Sequence, residues 1–86
     1  MPTVAVVAGM TILIYYDDHD PPHFHVRAAN FRAKVAIHDL SVVEVVGRMK
    51  ASEIRTIQSW ARRHQPASWD NWLRASQLEA IRKIED

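Results

Sequence analysis

Short runs of β-branched and aromatic residues, each ended by turn-forming residues, fill the first part of the chain. Residues 3–8 and 11–16 are two such runs, and Gly9 with Met10 suits a two-residue turn between them. The second run is apolar on both sides, which indicates a strand that is covered on both faces. Two prolines within residues 17–22 lack the N–H group that a sheet requires, so we expect the strand to end before them.

Three further strands are predicted at residues 23–28, 32–38 and 42–46. The connections between them are only a few residues long, which favours antiparallel neighbours. Gly47 ends the last of these runs. The first half of the chain therefore predicts a small antiparallel sheet of four or five strands.

The register between the third and fourth predicted strands follows from their alternation. A turn of two or four residues pairs Phe24 with Val35 and Val26 with Ala33, so these side chains make one apolar face. A shift of one residue would bury the charged side chains instead. The opposite face then carries five basic or potentially basic side chains: His23, His25, Arg27, Arg32 and Lys34.

Apolar positions in the second half recur at the spacing of an α-helix. Residues 51–64 form one such stretch, with Ile54 and Ile57 on its apolar stripe. Pro66 suits the first turn of a second helix, which we expect to run to about Ile84. Helices that follow a meander usually cover one face of its sheet. The predicted fold is therefore α+β, a small antiparallel sheet followed by two C-terminal helices packed on one face.

Length and composition narrow the possible functions. The 86 residues are enough for one domain, residues 1–86, and 48% of them are hydrophobic. The lack of cysteine excludes disulfides, thiolate metal ligands and a cysteine nucleophile. The apolar N-terminus has no basic region and breaks at Gly9, so it is too short for a signal peptide or a membrane span. We therefore expect a cytoplasmic protein with no membrane segment.

Acidic and histidine side chains are most concentrated in one motif, whose sequence is Asp17-Asp18-His19-Asp20-Pro21-Pro22-His23-Phe24-His25-Val26. Together with the N-terminal Met-Pro-Thr-Val, the pair Trp60 and His64, and Trp72, it makes the chain resemble a small bacterial family of unknown function, DUF4160. The resemblance implies a compact bacterial cytoplasmic protein without an established activity. It also implies a small protein partner encoded nearby, because family members often look to be paired in a toxin–antitoxin-like arrangement.

His23 and His25 give the strongest chemical signal. Residues at i and i+2 of a strand project from the same face, roughly 6.5–7 Å apart along the backbone. That spacing suits a shared anion, an acid–base pair or a shared metal ion. We predict no metal; the alternative is a metal set of His19, His23 and His25, to which Asp17 or Asp18 adds an oxygen. In the structural interpretation, the remaining motif residues only stiffen a turn: Asp18, His19, Pro21 and Pro22.

The basic side chains beside the histidines favour an anion such as RNA. Phosphate would be bound on the same sheet face by three cations: Arg27, Arg32 and Lys34. His23 and His25 would then act as base and acid in RNA cleavage through the substrate's own 2′-hydroxyl. The alternative is a solvated face whose charges prevent aggregation. The sequence shows no surface pair of aromatic rings for base stacking, although Tyr15 and Phe31 are near in the predicted sheet.

These features predict a binding component of a two-protein, toxin–antitoxin-like module. Residues 60–72 contain all three tryptophans, more than one small core needs, so we expect one of them to remain exposed as an anchor for a protein partner. The alternatives are a metal-independent protein that binds or cleaves RNA with His23 and His25, and a metal-binding domain. No cofactor is predicted, and both enzymatic activity and oligomeric state are left open.

Overall fold

The computed structural model describes residues 2–85 and contains a sheet followed by two helices. The strands are β1 (Thr3–Val7), β2 (Met10–Leu13), β3 (His23–Arg27), β4 (Phe31–Ala36) and β5 (Val42–Gly47), and the helices are α1 (Ala51–Arg63) and α2 (Gln65–Ser76). The strands form one antiparallel sheet in chain order, which confirms the predicted α+β fold. Within these residues, neither helix is long and apolar enough to cross a membrane.

The register of β3 against β4 is the one that their alternation predicted. Phe24 lies opposite Val35, and Val26 lies opposite Ala33. All four side chains are buried on the same face of the sheet. Because side chains alternate along a strand, the histidines and the basic residues of β3 and β4 share the other face.

Both helices add side chains to the core on the apolar face. Trp60 of α1 meets Phe24 edge to face, with ring centroids 6.0 Å apart, and Ile57 is also fully buried. Trp72 and Ala75 of α2 belong to the same cluster. Burial of one large apolar side chain stabilises the fold by roughly 1.5–3 kcal/mol. The helices are therefore held mainly by packing against the sheet.

The tryptophans do not supply the exposed anchor that their number suggested, so that expectation is wrong. Trp60 and Trp72 are buried, and Trp69 is partly buried and packs against the core. Several alanines in the same core leave volume that the large rings fill. The exposed large apolar side chains of the described residues are Val6, Tyr15, Tyr16, Val43, Val45, Val46, Leu73 and Leu78.

The second helix ends at Ser76 and not at Ile84, so its predicted length is wrong. Leu78 has a left-handed backbone with φ of 57°, a conformation that a right-handed helix cannot continue. The N–H of Glu79 donates to the carbonyl oxygen of Arg74 at 2.8 Å, and the N–H of Leu78 donates to that of Ala75 at 3.1 Å. This pair of bonds is a Schellman motif, which satisfies the last carbonyls and closes the helix.

An extended tail follows α2 and returns to the sheet. Asn71, buried in α2, binds the backbone of Arg82 twice: its Nδ2 donates to the carbonyl oxygen at 2.8 Å, and its Oδ1 accepts from the N–H at 2.7 Å. The N–H of Ile84 donates to the carbonyl oxygen of Val4 in β1 at 2.7 Å. Ile81 and Ile84 thus reach the core from an extended segment, and their spacing in sequence only imitated a helix.

β2 is also shorter than predicted, because it ends at Leu13 and not at Tyr16. The last pair between β2 and β3 joins Leu13 to His25, so the chain beyond Leu13 has no strand beside it on that side. Tyr15 and Tyr16 leave the sheet and are exposed. This departure begins the loop that carries the histidine motif.

Candidate functional site

The loop between β2 and β3 is attached to the rest of the fold at both ends. Near its start, the N–H of Asp17 donates to the carbonyl oxygen of Ala75 in α2 at 3.2 Å. At its end, the carbonyl oxygen of Pro22 accepts from the N–H of Ile37 at 3.1 Å. Asp17 has a left-handed backbone with φ of 54°. The next residue, Asp18, is thereby brought over the first residues of β3.

Three side-chain atoms converge at this point. Oδ2 of Asp18 lies 3.0 Å from Nε2 of His23 and 3.0 Å from Nε2 of His25. The two Nε2 atoms are 3.2 Å apart. The three atoms therefore form a nearly equilateral triangle, and each of them can ligate a metal ion.

His23 is the most enclosed member of this Asp18–His23–His25 cluster, with 8% of its surface exposed. Its ring packs against Trp72, with centroids 5.3 Å apart. Its Nδ1 lies 2.8 Å from the carbonyl oxygen of Pro21. A carbonyl oxygen only accepts, so Nδ1 carries the proton. In the neutral ring, Nε2 is then bare and its lone pair faces the other two members.

Asp18 is held by hydrogen bonds at both carboxylate oxygens. Its Oδ1 accepts from the backbone N–H of His19 at 2.8 Å, and its Oδ2 faces the two histidines. Burial raises the pKa of Asp18, but the hydrogen bonds from His25 and His19 together with the nearby imidazoles outweigh it, so the pKa lies below its ordinary value. The group is therefore a carboxylate at neutral pH.

His25 is half-buried, and the edge of its ring meets Tyr15 at a centroid distance of 4.5 Å. Burial lowers its pKa, and the charges of His23 and Lys34 lower it further, while the hydrogen bond to Asp18 opposes them. The net shift is downward, which favours the neutral ring. A neutral imidazole is the form that binds a metal ion.

One of the close contacts in the cluster, between Nε2 of His23 and Oδ2 of Asp18, has no proton between its two atoms when the ring of His23 is neutral. The Nε2–H of His25 donates to Oδ2 of Asp18. Nε2 of His23 also lies 3.0 Å from that oxygen, yet in the neutral ring neither of these two atoms carries a proton. Two lone pairs at this distance repel each other, and a cation bound between them would remove that repulsion.

The structure brings some of the residues predicted from the sequence together at this site and leaves others apart. His23 and His25 come together on one face, as predicted. His19 is exposed, and its ring is not one of the three groups that converge among residues 2–85; Asp18 occupies that place. Pro21 supplies a carbonyl oxygen that orients His23. The role of Asp18 was the weakest part of the sequence prediction, since Asp17, Asp18 and His19 were all candidates.

The basic side chains lie beside the cluster on the same face. His25 is directly opposite Lys34, and Arg27 is directly opposite Arg32. Nζ of Lys34 lies 3.8 Å from Oε2 of Glu44, and such an exposed ion pair contributes about 0–1 kcal/mol. In the part of the chain that the structure describes, neither arginine forms an ion pair or a side-chain hydrogen bond. We call Lys34, Arg32 and Arg27 the basic strip.

A groove lies between His25 of the cluster and two residues of the basic strip, Arg32 and Lys34. It has a volume of about 270 Å³, and its polar lining consists of Tyr15, His25, Arg32, Lys34 and Glu44. Tyr15 is 39% exposed and places an aromatic ring at the wall of the groove. Sequence reasoning named Tyr15 only as an aromatic residue near the basic face, because it was counted in a buried strand.

Fold and site together define the class of this protein: an α+β domain with a carboxylate and two imidazoles on the sheet face opposite Phe24 and Val26. A family model described as "Domain of unknown function (DUF4160)" matches residues 9–73. The chain therefore belongs to the DUF4160 family, which confirms the family predicted from the sequence. No curated protein and no solved structure matches the chain.

Proposed function

We propose that this protein binds a divalent transition-metal ion through Asp18, His23 and His25. The observation that carries the proposal is the convergence of Oδ2 and the two Nε2 atoms at 3.0, 3.0 and 3.2 Å from one another. Ligand atoms about 2.0–2.2 Å from a metal ion are separated by roughly 2.8–3.4 Å in octahedral or tetrahedral coordination. The triangle has these dimensions.

The surroundings of the cluster support the same proposal. Metal-binding histidines usually donate their other ring N–H to a carbonyl or carboxylate oxygen, which fixes the tautomer. His23 does so toward Pro21, at 2.8 Å. On metal binding, the proton of His25 would leave Nε2, and Nδ1 would carry the proton of the neutral ring. The bare Nε2 of His23 and the carboxylate of Asp18 would then share a cation.

The ligand types indicate which ions fit. Two imidazoles and one carboxylate suit zinc, iron, cobalt and nickel, and the chain has no thiolate that would favour softer ions. Three protein ligands on one side of an ion leave positions for water or another molecule. An ion held in this way can act as a Lewis acid or lower the pKa of bound water.

The geometry gives less support to an acid–base pair. The two Nε2 atoms are 3.2 Å apart and face each other, which leaves no room for a phosphate between them. Metal-independent RNA cleavage by His23 and His25 stays a prediction, and a cleavage assay without metal decides it. The two-protein module also stays a prediction, and its structural motivation is weaker because the tryptophans lie in or against the core.

Isothermal titration of chelator-treated protein with zinc and cobalt tests the proposal. We expect one equivalent to bind, and we expect His25→Gln to weaken binding at least about a hundredfold. His38→Gln is the matched control, because His38 is exposed and is not part of the converging group. His19→Gln distinguishes the two ligand sets: it leaves the affinity unchanged if Asp18 is the ligand.

Circular dichroism of each variant controls for folding, and Asp18→Asn gives a second ligand variant outside the strands. The absence of any bound equivalent in the folded wild-type protein would overturn the proposal. So would equal affinities of the wild-type, His25→Gln and Asp18→Asn proteins.

A further inference from the structure

We propose that the sheet face with the Asp18–His23–His25 cluster binds single-stranded nucleic acid. One phosphate would lie at the metal ion, and the following phosphates would lie along the basic strip. This inference rests on the proposed metal site. It adds the ligand class, a polyanion with unstacked bases, and the residues that select it.

The placement of the charges supports a polyanion. Lys34 lies opposite His25, and Arg32 lies opposite Arg27 two residues further along the same strands. Two residues of a strand span roughly 6.4–6.8 Å, which matches the separation of neighbouring phosphates in an extended polynucleotide. The pair at the cluster, His25 with Lys34, and the pair of Arg27 with Arg32 are therefore separated by the interval of the ligand.

The positive charges of the basic strip favour the binding of an external anion. Like charges directly opposite each other on a sheet are unfavourable, and Arg27 and Arg32 make such a pair. Neither has an ionic partner among residues 2–85. Within residues 2–85, the ionic contact of Lys34 is the long, exposed one to Glu44, which an incoming phosphate can replace. A metal ion at Asp18, His23 and His25 would make this face still more positive.

The aromatic wall of the groove selects single strands. Tyr15 lines the same groove as Arg32 and Lys34, and its exposed ring is held by an edge contact with His25. A base that stacks on Tyr15 must be unstacked from its neighbours, which bases in a duplex are not. Cations along a groove with an aromatic platform are the usual combination in proteins that bind single strands. Acidic peptides have no bases to stack and would not use this ring.

Fluorescence anisotropy with a labelled twelve-nucleotide RNA tests the inference on the full chain. The same sequence as DNA and as an RNA duplex provides the other ligands, and each is measured with zinc-loaded and zinc-free protein. We expect the zinc-loaded protein to bind single strands about tenfold more tightly than the zinc-free protein and more tightly than the duplex. A preference for RNA over DNA would add a contact to the 2′-hydroxyl.

Variants of the basic strip and the aromatic wall give the sharper test. Arg32→Gln should weaken binding about tenfold and reduce the slope of log affinity against log salt by roughly 0.7. Tyr15→Leu should weaken single-strand binding at unchanged salt slope. Arg55→Gln is the control, because Arg55 is exposed on α1, which packs on the opposite face of the sheet. Metal titration of all variants shows whether the ion still binds.

The two proposals can fail separately. If zinc binds but RNA does not, or if Arg32→Gln and Arg55→Gln bind RNA equally, the inference is wrong and the metal site stands. Equal RNA affinity with and without zinc, or equal affinity for the duplex, also overturns it. If zinc itself does not bind at Asp18, His23 and His25, the proposed function fails first.

Discussion

The same strands build both faces of the sheet, but one face carries apolar side chains that pack in the core and the other carries polar and charged side chains. On one face, Phe24 and Val35 are fully buried in the hydrophobic core, and Phe24 packs against Trp60 of α1. On the other face, His25 lies opposite Lys34 and meets the rings of Tyr15 and His23 at their edges. The apolar face carries most of the hydrophobic core, and the other face carries the polar side chains of the site. The comparison predicts that stability and binding can be changed independently.

The largest effect is expected on the apolar face. Phe24→Ala removes a fully buried ring that contacts Trp60, and a cavity of this kind costs about 3–5 kcal/mol. Urea denaturation followed by tryptophan fluorescence measures the loss. A change below about 1 kcal/mol would show that the sheet and α1 are not packed as described.

The next effect belongs to the opposite face of the same strand. His25→Gln should lower zinc affinity at least about a hundredfold because it removes one of three ligands. Its effect on the free energy of unfolding of the metal-free protein should stay below about 1 kcal/mol, since His25 is only half-buried. Zinc titration measures the affinity and urea denaturation measures the free energy of unfolding, so the two effects can be separated. Loss of stability equal to that of Phe24→Ala would erase the distinction between the faces.

A smaller effect is expected where the tail joins α2. Asn71→Ala removes both hydrogen bonds to the backbone of Arg82 and should destabilise by about 1–3 kcal/mol. Amide exchange at Ile84, whose N–H is bonded to Val4, should become faster than exchange in β3. Zinc affinity should not change. Unaltered protection at Ile84 would mean that Asn71 does not hold the tail.

The smallest effect concerns charge near the cluster. Lys34 is one of the charges that lower the pKa of His25, so it also repels a cation at this site. Lys34→Gln should therefore raise zinc affinity by a few-fold at low salt, and the gain should shrink in 0.5 M salt because screening weakens the repulsion. A fall in zinc affinity would indicate that Lys34 supports the cluster instead of opposing the ion.

The sequence predicted the faces well and the loop poorly. Alternation in β3 and β4 was enough to pair Val26 with Ala33 and to put His23 and His25 on one side, because a strand has a fixed period. The loop has no such period. Whether Asp18 or His19 joins the histidines depends on the left-handed turn at Asp17 and on contacts to α2, which are tertiary facts.

The error in α2 has a similar origin. Ile81 and Ile84 keep a helical spacing, and spacing alone does not distinguish a longer helix from an extended tail that returns to the same core. The helix ends because Leu78 takes a left-handed conformation and Asn71 captures Arg82. Leucine at the left-handed position is not a recognisable stop signal, since glycine usually occupies it.

Nitrogen NMR of the histidine rings during a zinc titration tests the central claim most directly. It reports each Nε2 and Nδ1 separately, so it identifies both the tautomer and the ligand atom. We predict that one equivalent of zinc shifts Nε2 of His23 and His25 together, while Nδ1 of His23 keeps its proton toward Pro21 and His19 is unaffected. Rings of His23 and His25 that do not respond to zinc, or a response at His19 in place of either, would contradict the account.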